Sequence, residues 1–181
     1  MDRSNCDMDV RRLLNLTVVA ETPQFASPLM RLLGTGWRLS GIYRRSSGSM
    51  LDIINGLDRA LTGINNQRPD RLVGDLYQDR SAGPMSQYLN RVAFEQPALG
   101  TRGNLGRNVI QGPATWQFDA ALSRVFRLRE IQRLEFRAEA YNLTNSFRPG
   151  NPSTILNEST FGQIRSSDTP RIMQFALKYA F

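Results

Sequence analysis

Histidine is absent from the 181 residues, cysteine occurs once, at Cys6, and lysine once, at Lys178. One thiol cannot form a disulfide within the chain, and without histidine there is no recognisable zinc site or His-based catalytic group. The expectation is therefore no enzyme, no metal and no cofactor. No run of about 18 apolar residues occurs, which excludes a transmembrane helix. It does not exclude a transmembrane β-barrel, whose strands are short and apolar only at alternate positions. The N-terminal stretch MDRSNCDMDVRR is charged and has no apolar h-region, so it reads as no secretory signal peptide. Gly103, Gly106 and Gly112 lack the GxxxxGK[ST] spacing of a phosphate loop, and GNLGRN reads instead as a turn-rich loop.

The net charge is +7 and rests almost wholly on arginine. Such a balance suits nucleic acid or an anionic membrane surface. The arginines are spread along the chain, however, and a composition bias accounts for them better than a binding patch.

What the sequence does contain is alternation. In the last twelve residues, Phe175, Leu177, Tyr179 and Phe181 recur at every second position, with Gln174, Ala176, Lys178 and Ala180 between them. Side chains on a strand alternate between its faces, so this segment has one bulky apolar face and one small or polar face. The pattern fits a barrel strand, apolar toward lipid and polar toward the lumen. The last strand of a soluble sandwich is the other reading. Trp37, Leu39, Gly41 and Tyr43 alternate with Arg38, Ser40, Ile42 and Arg44, and Trp116, Phe118, Ala120 and Leu122 with Gln117, Asp119, Ala121 and Ser123. Residues 11–21 alternate less perfectly, through Leu14, Leu16, Val18 and Ala20. Residues 131–143 fit a strand or a helix, and the helical formers among them favour helix; the neighbouring strands tip the reading to strand. Leu29 to Leu33 suit a single helical turn. Weak strand candidates lie at 50–60 and 71–77.

The connections are lopsided. Residues 46–115 and 144–169 are long, whereas Arg127 to Arg129 is short. Barrels of the outer membrane have long extracellular and short periplasmic connections, and placing Phe181 on the periplasmic side sorts these segments in that way. A hairpin pairing Phe118 with Ala138, Ala120 with Phe136 and Leu122 with Leu134 sets large against small, and Asp119 against Arg137. Asp119, Glu135, Arg137 and Glu139 then form a lumen-facing charge ladder. Paired carboxylates can act as acid and base, but a charge ladder in a polar lumen is the better account. NLTN, residues 142–145, fits the N-x-T glycosylation sequon. The fold class expected is all-β: an antiparallel meander forming part of a transmembrane β-barrel, incomplete, with about five membrane-crossing strands plus loop strands.

RRLLNLTVVAETP, GWRLSGIYRRSSG, NQRPDRLVGD, GNLGRNVIQGPATWQFDAALSRVF, RLEFRAEAYNLTN and PRIMQFALKYAF resemble, in that order, the C-terminal end of TonB-dependent receptors of the Oar-like, carboxypeptidase-regulatory-like type. The closing segment also resembles the C-terminal targeting signal of bacterial outer-membrane proteins, carried here by Phe175, Leu177, Tyr179 and Phe181. The resemblance implies an outer-membrane barrel of about 22 strands with a plug, taking up substrates with energy delivered by TonB. The partners it implies are outer-membrane lipid and lipopolysaccharide, the barrel-assembly machinery, and TonB only through a plug that these residues lack. Nucleic acid is not among them. Residues 1–181 thus read as a C-terminal barrel segment without plug or TonB box, with transport belonging to the full-length parent. The competing expectation is a small soluble β-rich module binding nucleic acid or an acidic partner through arginine, which requires basic residues gathered with aromatics on one face.

Overall fold

A computed structural model describes residues 4–7, 9–78 and 87–181. In chain order its elements are β1 (Leu13–Glu21), α1 (Pro28–Gly34), β2 (Trp37–Ser46), β3 (Met50–Leu51), β4 (Asp70–Arg71), β5 (Phe94–Glu95), β6 (Ile110–Gln111), β7 (Thr115–Arg127), β8 (Arg133–Tyr141) and β9 (Ile172–Ala180). They group into two compact units. One comprises Leu13–Arg45, Trp116–Ser146 and Thr169–Phe181, the other Met1–Arg12, Ser46–Thr115 and Phe147–Asp168. Among the described residues no helix is long and apolar enough to cross a membrane, which says nothing of strands.

The first unit is one antiparallel sheet in the order β1-β2-β7-β8-β9. Neighbours in sequence are neighbours in the sheet, apart from the step from β2 to β7 around the second unit's segments. The sheet does not close, and β1 and β9 are its edges. The five long strands lie where alternation places them. The ambiguous segment is the strand β8, because β7 and β9 supply ladder partners along its length. Helical propensity is a weak prior that such pairing overrides.

Two expectations need correction. The hairpin register is displaced: Ala138 faces Leu122, Phe136 faces Arg124 and Leu134 faces Phe126, so each partner lies four residues further along β7 than expected. The expected register leaves three residues for the turn, a loop that normally needs one residue at positive φ. Arg127, Leu128 and Arg129 are poor at that. The chain instead turns through Leu128–Gln132, where Leu128 N–H donates to Gln132 O at 3.0 Å and no residue has positive φ. An even displacement leaves every side chain on its expected face. The helix α1 is also longer than one turn, at seven residues, with Pro28 at its start, where a missing N–H costs nothing.

The second unit holds what reads in sequence as long loops. The strand candidates at 50–60 and 71–77 shrink to two-residue pairs, β3 with β6 and β4 with β5. Its order comes from a buried cluster of Ile53, Tyr88, Leu89, Phe94, Leu105, Ile110, Leu156, Phe161 and Ile164. Phe161, 1 % exposed, meets Phe94 edge-on at 5.4 Å between ring centres. Truncating Phe161 to Ala is expected to cost this unit about 3–5 kcal/mol. Limited proteolysis would show this as faster cleavage within 46–115, with strand content by circular dichroism little changed.

Candidate functional site

The sheet sorts its side chains by chemistry. On one face β8 places Leu134, Phe136, Ala138 and Ala140 opposite Tyr179, Leu177, Phe175 and Met173 of β9. The row continues across β7 through Trp116, Phe118, Ala120, Leu122 and Phe126, across β2 through Tyr43, Gly41, Leu39 and Trp37, and onto β1 through Leu16, Val18 and Ala20. A groove of about 520 Å³ lined by Leu16, Val18, Leu39, Gly41, Tyr43 and Phe118 shows that the three strands share this face. Gly41 leaves room for the Phe118 ring, which lies over it: a Cβ there would stand 3.1 Å from the ring, so the ring would have to give a little. Apart from α1, which meets Trp37 and Arg124 at one end, the face is open. Phe175 and Leu177 are 68 % and 69 % exposed, and Leu16 and Val18 are more than half exposed. A contiguous apolar surface of this extent marks contact with a membrane or another protein.

Aromatics bracket the row. Tyr43 and Trp116 meet at 6.1 Å at one end. At the other, Trp37 meets Phe136 at 6.3 Å, and Tyr179 stacks on Phe181 at 5.9 Å. From Trp116 to Phe126 the strand rises about 33 Å, which at a tilt of about 40° spans about 25 Å, the height of an outer-membrane barrel's apolar band. One cation interrupts the row. Arg124 is 8 % exposed, its guanidinium 4.5 Å from the Phe126 ring and 5.3 Å from that of Trp37. It donates to the carbonyls of Leu32 and Leu33 at the end of α1, and Trp37 Nε1 also donates to Leu33 O, at 2.8 Å.

The opposite face is polar. Arg137 lies between Glu135 and Glu139 at 3.6 and 3.5 Å, Lys178 stands opposite Glu135, and Arg38 approaches Glu21 at 3.7 Å. Asp119 shares the face, but it does not meet Arg137 as expected; Ser123 does. Asp119 is buried instead at the far end of the hairpin. There it accepts from Asn142 N–H at 2.8 Å and pairs with Arg44 at 3.4 Å. The reason is the register, which carries Asp119 beyond the paired part of β8.

That end is built on NLTN, which by spacing alone reads only as a sequon. Asn142 and Asn145 adopt positive φ, of 51° and 50°, a conformation asparagine tolerates better than other side chains. The Asn142 side chain bonds Ser146 from both ends, accepting from its N–H at 2.9 Å and donating to its carbonyl at 3.0 Å. Ser146 Oγ donates to Trp116 O, and Arg171 N–H to Asn145 Oδ1, so the turn ties β8 to β7 and to the start of β9. The readable signal is a pair of asparagines three apart immediately after an alternating segment.

GNLGRN is likewise a structural turn, in the second unit. A Cβ on Gly103 would fall 2.1 Å from Arg68 O, Leu105 is core, and Asn104 N–H donates to Asp70 Oδ1. Arg107 reaches both oxygens of Asp7, and Asn108 Nδ2 donates to the same carboxylate. That donation, then the Arg107 charge, holds Asp7 below its ordinary value of 3.8. Burial raises Asp52, and backbone N–H donors, Thr62 first, lower Asp58. Among the described residues no three His, Cys, Asp or Glu side chains gather as a metal would need.

Two outcomes follow. Replacing Asn142 by Gly keeps the backbone conformation but removes its side-chain bonds, at about 1 kcal/mol each; replacement by Ala adds about 1 kcal/mol of backbone strain. Denaturant unfolding should therefore rank wild type above Gly above Ala. Because the folded Asp7 is depressed, its link to residues 107–108 is complete above pH 3.8 and is lost as pH falls through the lowered value. Amide exchange at 104–110 should rise there, and Asp7→Asn should remove this acid step.

A family model described as Outer membrane beta barrel domain matches residues 1–174. Neither the curated proteins nor the solved structures give a match. With its all-β meander of amphipathic strands, the chain belongs to the outer membrane beta barrel domain family, and so to the outer membrane.

Proposed function

We propose that residues 1–181 are the C-terminal barrel segment of a TonB-dependent receptor of the Oar-like type, and that the complete receptor takes up a substrate across the outer membrane. In this reading the apolar face meets lipid and lipopolysaccharide, and the face with Glu135, Arg137 and Glu139 lines the lumen. The terminal row Phe175, Leu177, Tyr179 and Phe181 addresses the barrel-assembly machinery. The chain performs no catalysis and holds no cofactor; it supplies wall strands and extracellular structure, and TonB acts through a plug.

The observation that carries this reading is the open sheet. Unpaired backbone groups cannot persist in hydrocarbon, and the smallest closed barrels have about eight strands. The β1 and β9 edges therefore call for further strands, as a larger receptor barrel would supply. The motif order from RRLLNLTVVAETP to PRIMQFALKYAF, which resembles that of TonB-dependent receptors, supports this kind of barrel.

Sequencing upstream of Met1 tests the assignment. An in-frame plug and further amphipathic strands are expected; a gene encoding only these 181 residues as a stable outer-membrane protein would refute it. Removing Phe181 from the receptor should lower the amount recovered folded in the outer membrane severalfold, read as heat-modifiable migration on gels. Unchanged recovery would take the targeting role from the terminus.

A further inference from the structure

The helix α1 has no buried residue. Leu29, Leu32 and Leu33 are 64 %, 66 % and 60 % exposed, and Met30 about half. In water this is a poor arrangement, since seven residues bring four large apolar side chains to the surface and bury none.

The polar groups of the same helix are handled in the opposite way. The last carbonyls of a helix have no partner within it and ordinarily take water. Here Leu32 O and Leu33 O are served by Arg124, and Leu33 O by Trp37 Nε1 as well. The one charged side chain of α1, Arg31, folds back to the carbonyls of Phe25 and Ala26 at 3.3 and 3.4 Å. So α1 turns its apolar side chains outward and ties two of its end carbonyls, Leu32 O and Leu33 O, inward, as suits an apolar surrounding. Both residues that hold it, Trp37 and Arg124, stand on the apolar face of the sheet, at the end where Leu128–Gln132 turns and β9 finishes.

We infer that α1 is an in-plane membrane anchor, lying at the boundary between headgroups and acyl chains of the phospholipid leaflet on the short-turn side. This rests on the proposal that the apolar face of the sheet meets lipid. The occupant is phospholipid rather than a protein because the helix adjoins that face at Trp37 and Arg124 and carries no acidic residue. Arg129, exposed in the turn at this end of the sheet, suits anionic headgroups at that level.

Spin labels test this in the complete protein, reconstituted into vesicles of phosphatidylethanolamine and phosphatidylglycerol in a Cys6→Ser background. Labels are placed singly through Leu29→Cys, Leu32→Cys, Leu177→Cys and Glu130→Cys. Labels at positions 29 and 32 should collide more with oxygen than with a water-soluble nickel chelate, as at 177, while 130 shows the reverse. Nickel accessibility at 29 and 32 with 177 still in lipid overturns the anchor alone. Low collision with both reagents at 29 and 32 means that protein covers the helix, which also overturns it. If position 177 is itself open to nickel, the lipid-facing sheet fails together with the anchor.

Discussion

Inside hydrocarbon there is no water to satisfy a backbone N–H or C=O, so a strand entering a bilayer must find its partners in other strands. The sheet of this protein is organised by that demand. β8 is paired along its full length by β9 and over most of it by β7, and the pairing overrides a local preference for helix. The same ladder fixes which side chains share a face. Once Phe136 stands opposite Leu177, every second residue of both strands joins the apolar row. A register shift by one residue would place Glu135 and Arg137 there instead. Charges at the middle of a lipid-facing band cost about 2–4 kcal/mol each, far more than any one cross-strand pair returns, so parity is the most strongly specified feature of the sheet.

This explains which parts were legible. Alternation is a local signal, and it located all five long strands and both faces. The register of the β7–β8 hairpin was not legible, because side-chain pairing favours one register while the turn sets another. Arg127, Leu128 and Arg129 include no residue suited to positive φ, and a five-residue turn moves every partner without altering any face. The same displacement moves Asp119 away from Arg137. Its carboxylate belongs to the turn at Asn142 rather than to the Glu135–Arg137–Glu139 ladder.

The second unit was opaque for a different reason. Ile53, Leu89, Leu105, Ile110 and Phe161 are buried one at a time, from segments that share no period and pair over only two residues. Their order depends on contacts distant in sequence, supported by turns that asparagine and glycine make possible. Asn108, at a φ of 52° and bonded to Asn5 and Asp7, is such a case. A composition rich in Gly, Asn, Asp, Pro and Ser is therefore compatible with a packed core, provided the polar side chains bond to backbone. The motifs GNLGRN and NLTN both do this, and neither carries chemistry.

Arg124 is where the local and the distant requirements meet. It sits in the apolar row between Leu122 and Phe126, a position alternation assigns to a hydrophobe. An unpaired arginine facing lipid costs about 2–4 kcal/mol at mid-depth and about 0–1 near an interface. The neighbouring Trp37 and Phe126 place it toward an end of the band, where the cost is smaller. Its guanidinium is further offset by two carbonyls, at about 1.5–3 kcal/mol for a bond to a charged group, and by ring faces worth about 0.5–1 kcal/mol at an exposed site. These gains exceed the cost only while α1 is in place to present Leu32 O and Leu33 O. Conversely, those carbonyls need Arg124 once water is excluded. Each makes the other tolerable on an apolar surface, so a helix of seven residues, too short to be stable by itself, is held by one side chain from β7 and one from β2.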